Sequence, residues 1–211
     1  MCAITGSFDL EKLKDLVKLN SHRGSHSYSY STHFKGKTTI FIKDFGYPEW
    51  DRIKRLQNQS VGVYHMIHTQ APTTTDRDIN SVHPAFEQQC ALWHNGIILQ
   101  TCLDELKSKH QDNREWDTYH LLLEVNKGFD KLAAIQGSFS CLYATTSVLY
   151  LFRNTISPMF IDDDLNISST EFEGSHSTEP GIVYSFDFNN KTLVPQITFM
   201  KAEEPFFFLG E

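Results

Sequence analysis

Met1-Cys2-Ala3-Ile4-Thr5-Gly6 opens the chain, and the reading of Cys2 decides the fold. A cysteine directly after the initiator methionine has an option closed to an internal one. Once Met1 is removed, Cys2 carries a thiol and a free α-amino group on one residue. The α-amino group titrates at roughly 8, so near neutral pH part of it is unprotonated. It can then take the thiol proton as the sulfur attacks a carbonyl. A small residue at position 2 is the type from which methionine aminopeptidase removes Met1. The competing reading makes Cys2 a buried apolar residue in a first strand, Cys2-Ala3-Ile4, because a free cysteine behaves mostly as a small hydrophobe. The rest of the chain has to choose between them.

The 211 residues are 40% hydrophobic and 21% charged, which suits a single globular domain, residues 1–211, with a full core. A net charge of -7 and the absence of any basic run exclude a general binder of nucleic acid or of a membrane surface. No apolar run approaches the roughly 20 residues of a membrane span, and no basic-then-apolar leader opens the chain. Cys2, Cys90, Cys102 and Cys141 form no CxxC pair, so neither zinc nor a disulfide framework is expected. A reducing cytoplasm suits them and keeps a catalytic thiol usable. Ten histidines are many, but none stands in a metal-ligand spacing, and no metal or cofactor is expected.

Along the chain, Asp9 is a candidate N-cap for a helix that places Leu10, Leu13, Leu16, Val17 and Leu19 on one face. Tyr28-Ser29-Tyr30 and Thr38 to Ile42 read as strands around the turn Lys35-Gly36-Lys37. Trp50 to Gln59 reads as a helix, and Val61 to Ile67 as a buried strand. His68-Thr69-Gln70-Ala71-Pro72-Thr73-Thr74-Thr75-Asp76 is polar and broken by proline, so it reads as a loop after a strand end, where binding residues often sit. Gln89 to Trp93 is a further strand. His94-Asn95-Gly96 before Ile97-Ile98-Leu99 carries a strong hairpin-turn signal. Helices follow from Leu103 to Lys109 and from Asp117, a natural N-cap, to Lys127 before Gly128. A short helix from Phe129 to Ile135 leads into β-rich sequence in three pairs, from Ser138 to Met200. The tail, Glu203 to Glu211, carries Phe206-Phe207-Phe208 and needs a surface to pack on. Strands at both ends with helices between them predict two sheets with helices packed outside, an α+β layering.

Several of these stretches together resemble one family, the class II glutamine amidotransferases. The opening resembles the family's MCGIxG, with Ala3 where glycine is usual. His22-Arg23-Gly24 is similar to its early RG element, and His68 to Thr73 to its HTRWAT loop. His94-Asn95-Gly96-Ile97-Ile98 is similar to HNGxI, and Asp117-Thr118 to an acidic DT(E) element at a helix start. Gly137-Ser138-Phe139-Ser140, and Arg153 with Ser157-Pro158-Met159, resemble its GxFA hairpin and RD..PL segment. No one motif is specific; their shared order, with the cysteine at position 2, is. The resemblance implies an N-terminal-nucleophile hydrolase fold, a four-layer αββα sandwich of two antiparallel sheets. It implies that Cys2 attacks the side-chain amide of glutamine, that the Asn95 amide and the Gly96 backbone N–H receive the oxyanion, and that Asp117 holds the substrate's ammonium. Gln70 and Thr73 fall at substrate-binding positions, and Arg23 and His94 at structural ones.

Two departures stand out. The family holds the substrate's carboxylate with the arginine of HTRWAT, and that position is Gln70 here. A glutamine amide donates hydrogen bonds but supplies no charge. Either another cation such as Arg77 compensates, or the substrate is a different amide. The chain also ends about where the family's glutaminase domain ends, so ammonia is expected to pass to a separate acceptor protein or to be released. Short stand-alone forms with a similar loop resemble those of bacteriophages. Three readings follow: a glutaminase, an N-terminal-nucleophile amidohydrolase acting on a non-glutamine amide, and a catalytically degenerate binding or regulatory subunit.

Overall fold

The computed structural model describes residues 2–57, 63–71 and 78–199. Thr73, Arg77 and the aromatic tail lie outside the described residues. The first half runs β1 (Ala3–Ser7), α1 (Leu10–Leu19), β2 (Ser27–Phe34), β3 (Lys37–Phe45), α2 (Trp50–Gln57) and β4 (Tyr64–Gln70). The second runs β5 (Ala85–Glu87), β6 (Cys90–Ile98), α3 (Gln100–His110), α4 (Asp117–Lys127), β7 (Gly137–Ala144) and β8 (Leu149–Arg153). Five further strands follow: β9 (Phe160–Ile161), β10 (Ile167–Ser168), β11 (His176–Ser177), β12 (Ile182–Asp187) and β13 (Thr192–Thr198). Short 3-10 segments cover Ile79–Ser81 and Phe129–Ala134.

The strands form two antiparallel sheets, ordered β11-β9-β10-β1-β4-β2-β3 and β13-β12-β8-β7-β6-β5. Three apolar clusters show how they stack. Leu10, Leu13 and Val17 of α1 and Ile53 of α2 pack on Tyr28, Tyr30, Ile42 and Ile67 of the first sheet. Ile4, Tyr64 and Met66 of that sheet meet Trp93, Leu142 and Leu151 of the second. On the far side, Leu92, Phe139 and Phe152 pack against Leu106 of α3 and Leu121, Leu122 and Val125 of α4. Three interfaces make four layers, αββα, as expected of an N-terminal-nucleophile hydrolase fold.

Asp9 caps α1 by accepting from the N–H groups of Glu11 and Lys12. Leu19, at the last turn, is 40% exposed and falls off the buried stripe. Three local expectations change. His68-Thr69-Gln70 is not loop but the end of β4, paired on both sides: Thr69 faces Ala3 and Tyr28, and His68 faces Ile4 and Ser29. His94-Asn95-Gly96 is not a turn but the middle of β6, in register with Phe139, Ser140 and Cys141 of β7. The turn falls earlier, at Gln88-Gln89, both with positive φ. Asp117 is the first residue of α4 rather than its cap; Trp116 holds the cap position, with no side-chain bond to the helix.

Candidate functional site

Cys2 precedes β1 in the first sheet and is 6% exposed. Burial pushes its thiol up; a hydrogen bond from the Ala71 backbone and the Arg23 cation oppose this, and Asp117 adds to it. Buried as it is, Cys2 belongs to none of the three apolar clusters of the described residues. Polar groups reach its backbone and its thiol. Arg23 Nε donates to the Cys2 carbonyl at 2.9 Å. Gly24 explains how Arg23 gets there. A Cβ at position 24 would stand 2.5 Å from the Ala71 backbone nitrogen and 2.6 Å from the Gln70 carbonyl carbon, so only glycine lets this loop lie against the end of β4.

The second sheet brings Asn95 to the same edge. Asn95 Nδ2 donates to Ser169 Oγ at 3.2 Å, and Ser169 Oγ in turn accepts from the Ile4 N–H at 3.0 Å. Ser169 also donates its own N–H to the Ile4 carbonyl. The Asn95 amide is therefore one bridging hydroxyl away from the strand that Cys2 precedes. That bond uses one of its two N–H donors. Gly96 has φ +152°, and a Cβ there would stand 1.9 Å from the Ser138 carbonyl oxygen. No side chain fits.

Behind this corner lies a buried polar network. Asp117 Oδ2 accepts from the Ile98 N–H at 3.1 Å, and Oδ1 from the Thr118 N–H at 2.7 Å. These bonds fix the start of α4 to the end of β6. His94 spans from the Ser138 carbonyl (Nε2, 3.1 Å) to Thr118 Oγ1 (Nδ1, 3.2 Å). His83 spans from Gln70 Oε1 (Nδ1, 3.2 Å) to the same hydroxyl (Nε2, 2.9 Å). His68 donates from Nε2 to the His94 carbonyl and stacks on His83 with ring centres 4.1 Å apart. Burial first, with its histidine neighbours, holds His83 well below the ordinary imidazole range, and burial pushes His68 down to about 3.

Gln70 is tied into this network. Its Oε1 also accepts from Ser27 Oγ at 3.2 Å, and its Nε2 points at the Ser81 carbonyl at 3.4 Å. Arg153 is a structural residue: it spends its guanidinium on the carbonyls of Thr178 and Asn154 and the hydroxyl of Ser177. Of the residues singled out from sequence, Cys2, Arg23, Gln70, His94, Asn95, Gly96 and Asp117 thus gather around one edge between the sheets. Ser169 and the Thr118 hydroxyl were missed as connectors. Thr118 lay inside a motif; nothing local marks Ser169. A cleft of about 530 Å³ opens elsewhere, lined by Asp162, Asp163, Glu179 and Lys191 among others, and holds none of these residues.

The arrangement holds a buried thiol, a side-chain amide from a facing strand and a carboxylate at a helix start, the group types that acyl chemistry uses. Comparison with known proteins supports the fold. No protein-family model matches the chain, and no curated protein matches it in sequence. Among solved structures, the glutamine phosphoribosylpyrophosphate amidotransferase of B. subtilis, complexed with ADP and GMP, superposes with a TM-score of 0.64 at 15% identity, over 93% of this chain and 49% of that one. The allosteric regulatory enzyme of purine biosynthesis gives 0.64 at 16% identity, over 92% of this chain and 48% of that one. The chain spans about half the length of these two proteins. Its fold, two antiparallel sheets between layers of helices, is the N-terminal-nucleophile fold that they carry.

Proposed function

We propose that this chain is a glutamine amidotransferase-type amide hydrolase that uses Cys2 as an N-terminal nucleophile. With Met1 removed, the α-amino group takes the thiol proton and the sulfur attacks the substrate's side-chain amide. The tetrahedral oxyanion is received by the second Asn95 N–H and the Gly96 backbone. Ammonia leaves with the proton, and water releases the acid from the thioester. Asp117 holds the substrate's ammonium, and Thr73 contributes to the substrate loop. The ammonia passes to a separate acceptor protein.

The observation that carries this reading is the Asn95–Ser169–Ile4 bridge. It holds a strand of the second sheet against the strand that follows Cys2, and the buried Cys2 stands outside the apolar clusters of the described residues.

One observation favours a second reading of the substrate. Gln70 spends its oxygen on Ser27 and His83 and aims its nitrogen at Ser81, so its amide is committed within the protein. In that reading the substrate is an amide without glutamine's free carboxylate, unless Arg77 supplies the charge. The test is intact mass, for removal of Met1, followed by labelling with a glutamine-analogue electrophile. Labelling of Cys2 that free glutamine competes away supports glutamine as substrate. Labelling indifferent to glutamine supports the second reading, and no labelling of processed protein sinks both.

A further inference from the structure

We propose that the cleft between the β9–β11 end of the first sheet and the β12–β13 end of the second is a further binding site, separate from the Asn95–Gly96 corner, and that it takes an aliphatic polyamine. Its volume of about 530 Å³ lies in the range that holds a small organic ligand. It opens where the core between the sheets runs out. Strands β11 and β9 stand at this end of the first sheet, and β13 and β12 at this end of the second. Ile161 and Leu165 are buried members of the inter-sheet cluster, whereas Tyr184 and Leu193 pack against it only partly buried. All four line the cleft, so its floor is the uncovered margin of an apolar core.

The walls carry the opposite chemistry. Asp162 and Asp163 come from the turn after β9, Glu179 from the segment before β12, and Lys191 from the turn between β12 and β13. Lys191 Nζ lies 3.0 Å from Asp164 Oδ1 and stands over the Phe8 ring, so its charge is already balanced. Three carboxylates remain. Asp162 is fixed in the wall, because it accepts from the N–H groups of Asp164 and Asn166 and from Asn166 Nδ2. Asp163 and Glu179 are exposed. Burial, and after it the Glu179 carboxylate, pushes the Tyr184 phenol up, which places that carboxylate near the ring. Arg153 lies behind the wall with its guanidinium on the Thr178 carbonyl and the Ser177 hydroxyl.

These features select one kind of guest. Carboxylates around an apolar floor suit several cationic heads carried on a methylene body. The ammonium groups pair with Asp163 and Glu179 and approach the Tyr184 ring. The methylenes cover Leu193 and the side of Tyr184, as the stem of a lysine covers apolar surface. A bare metal ion would leave that floor wet, and no group of three or more metal-ligating side chains occurs among the described residues. An anionic ligand would meet the three carboxylates. None of Cys2, Asn95, Gly96 and Asp117 lines the cleft, so this inference stands apart from the function proposed above.

The experiment is a titration of the ¹⁵N-labelled full chain with spermidine, followed through the backbone amide shifts. Saturable shifts centred on Asp163, Glu179, Tyr184 and Leu193 are expected, with a sub-millimolar midpoint at low salt. Exposed ion pairs are screened, so the midpoint should rise several-fold in about 0.2 M salt. The double variant Asp163→Asn, Glu179→Gln changes two exposed side chains and leaves the core untouched; it should bind about tenfold more weakly. Calcium at equal ionic strength should leave these amides unmoved. Shifts that scatter over the acidic surface without saturating overturn the inference, as does an unchanged midpoint in the double variant. Equal shifts with calcium would reduce the cleft to a patch that attracts any cation and would overturn the polyamine assignment as well.

Discussion

At Gly96 the requirement for glycine comes from a neighbouring strand. Its φ of +152° is uncommon for any other residue, and a side chain would run into the Ser138 carbonyl of β7. Gly96→Ala must therefore either break the β6–β7 register or move the corner. The expected cost is roughly 2–4 kcal/mol, read as a lower midpoint in urea unfolding. Asn95→Ala behaves differently: it removes one bond, to Ser169, and leaves the strand backbone as it is, so folding should survive. Reaction at Cys2 through an oxyanion should fall by about 10²–10³. A stopped-flow comparison of amide turnover or aldehyde addition in the two variants separates them. An Asn95→Ala protein with full activity would take the oxyanion role from this side chain. Asn-Gly between apolar runs is the commonest hairpin signal, and at this position it misleads. The glycine is selected by close approach inside a sheet, which a single sequence presents in the same letters as a turn.

At the scale of elements, α4 sets the position of Asp117, and a carboxylate clamp sets the position of α4. Glu124 is 2% exposed and accepts from Lys109 (2.6 Å) and His110 (2.7 Å) of α3 and from Lys127 (2.8 Å) of its own last turn. Burial alone would raise its carboxyl; the hydrogen bonds from Lys109, Lys127 and His110 outweigh it and bring it to about 2 from 4.5. The folded value is depressed, so the clamp stabilises above the unfolded value and is lost as pH falls from about 4.5 to about 2. The amount is on the order of 3 kcal/mol. Urea midpoints of Glu124→Gln should be lower than wild type near neutrality and should converge with it across that window. A constant gap down to the acid limit would mean the clamp contributes nothing through its charge. The helices themselves were legible, α1 from its Asp9 cap and α4 from the spacing of its apolar residues between Asp117 and Lys127, because both signals are local. The extension of β4 through His68, Thr69 and Gln70 was not. Polar side chains can sit in a central strand when groups outside it bond them, and those groups, His83 for Gln70 and the His94 carbonyl for His68, come from later segments of the chain.

On the scale of the whole molecule, the candidate site belongs to neither sheet. Cys2, Arg23 and Gln70 come with the first, Asn95 and Gly96 with the second, and Asp117 from the helix layer behind it. That is why the residues could be picked from sequence as an ordered set while their meeting point could not: the distance between facing sheets, about 10 Å, is set by the core between them. Trp93 is the largest side chain in that core. It is 2% exposed, it packs with Ile4, Met66 and Leu142, and its Nε1 donates to Ser29 Oγ of the first sheet at 3.2 Å. It neighbours His94 in β6 and spans the gap that the Asn95–Ser169 bond closes at the edge. Trp93→Phe would leave part of that gap empty and take the donor from Ser29, at a cost of roughly 2–3 kcal/mol. If the site depends on sheet spacing, the variant should also react more slowly at Cys2 with an oxyanion-forming aldehyde at temperatures where it remains folded, with iodoacetamide reactivity unchanged or raised. Leu122→Ala, in the separate cluster between α4 and the second sheet, should lose comparable stability and leave the two-reagent ratio as in wild type. Equal ratios in all three proteins, measured well below each melting temperature, would show that the corner is held by its own hydrogen bonds and not by the spacing of the sheets.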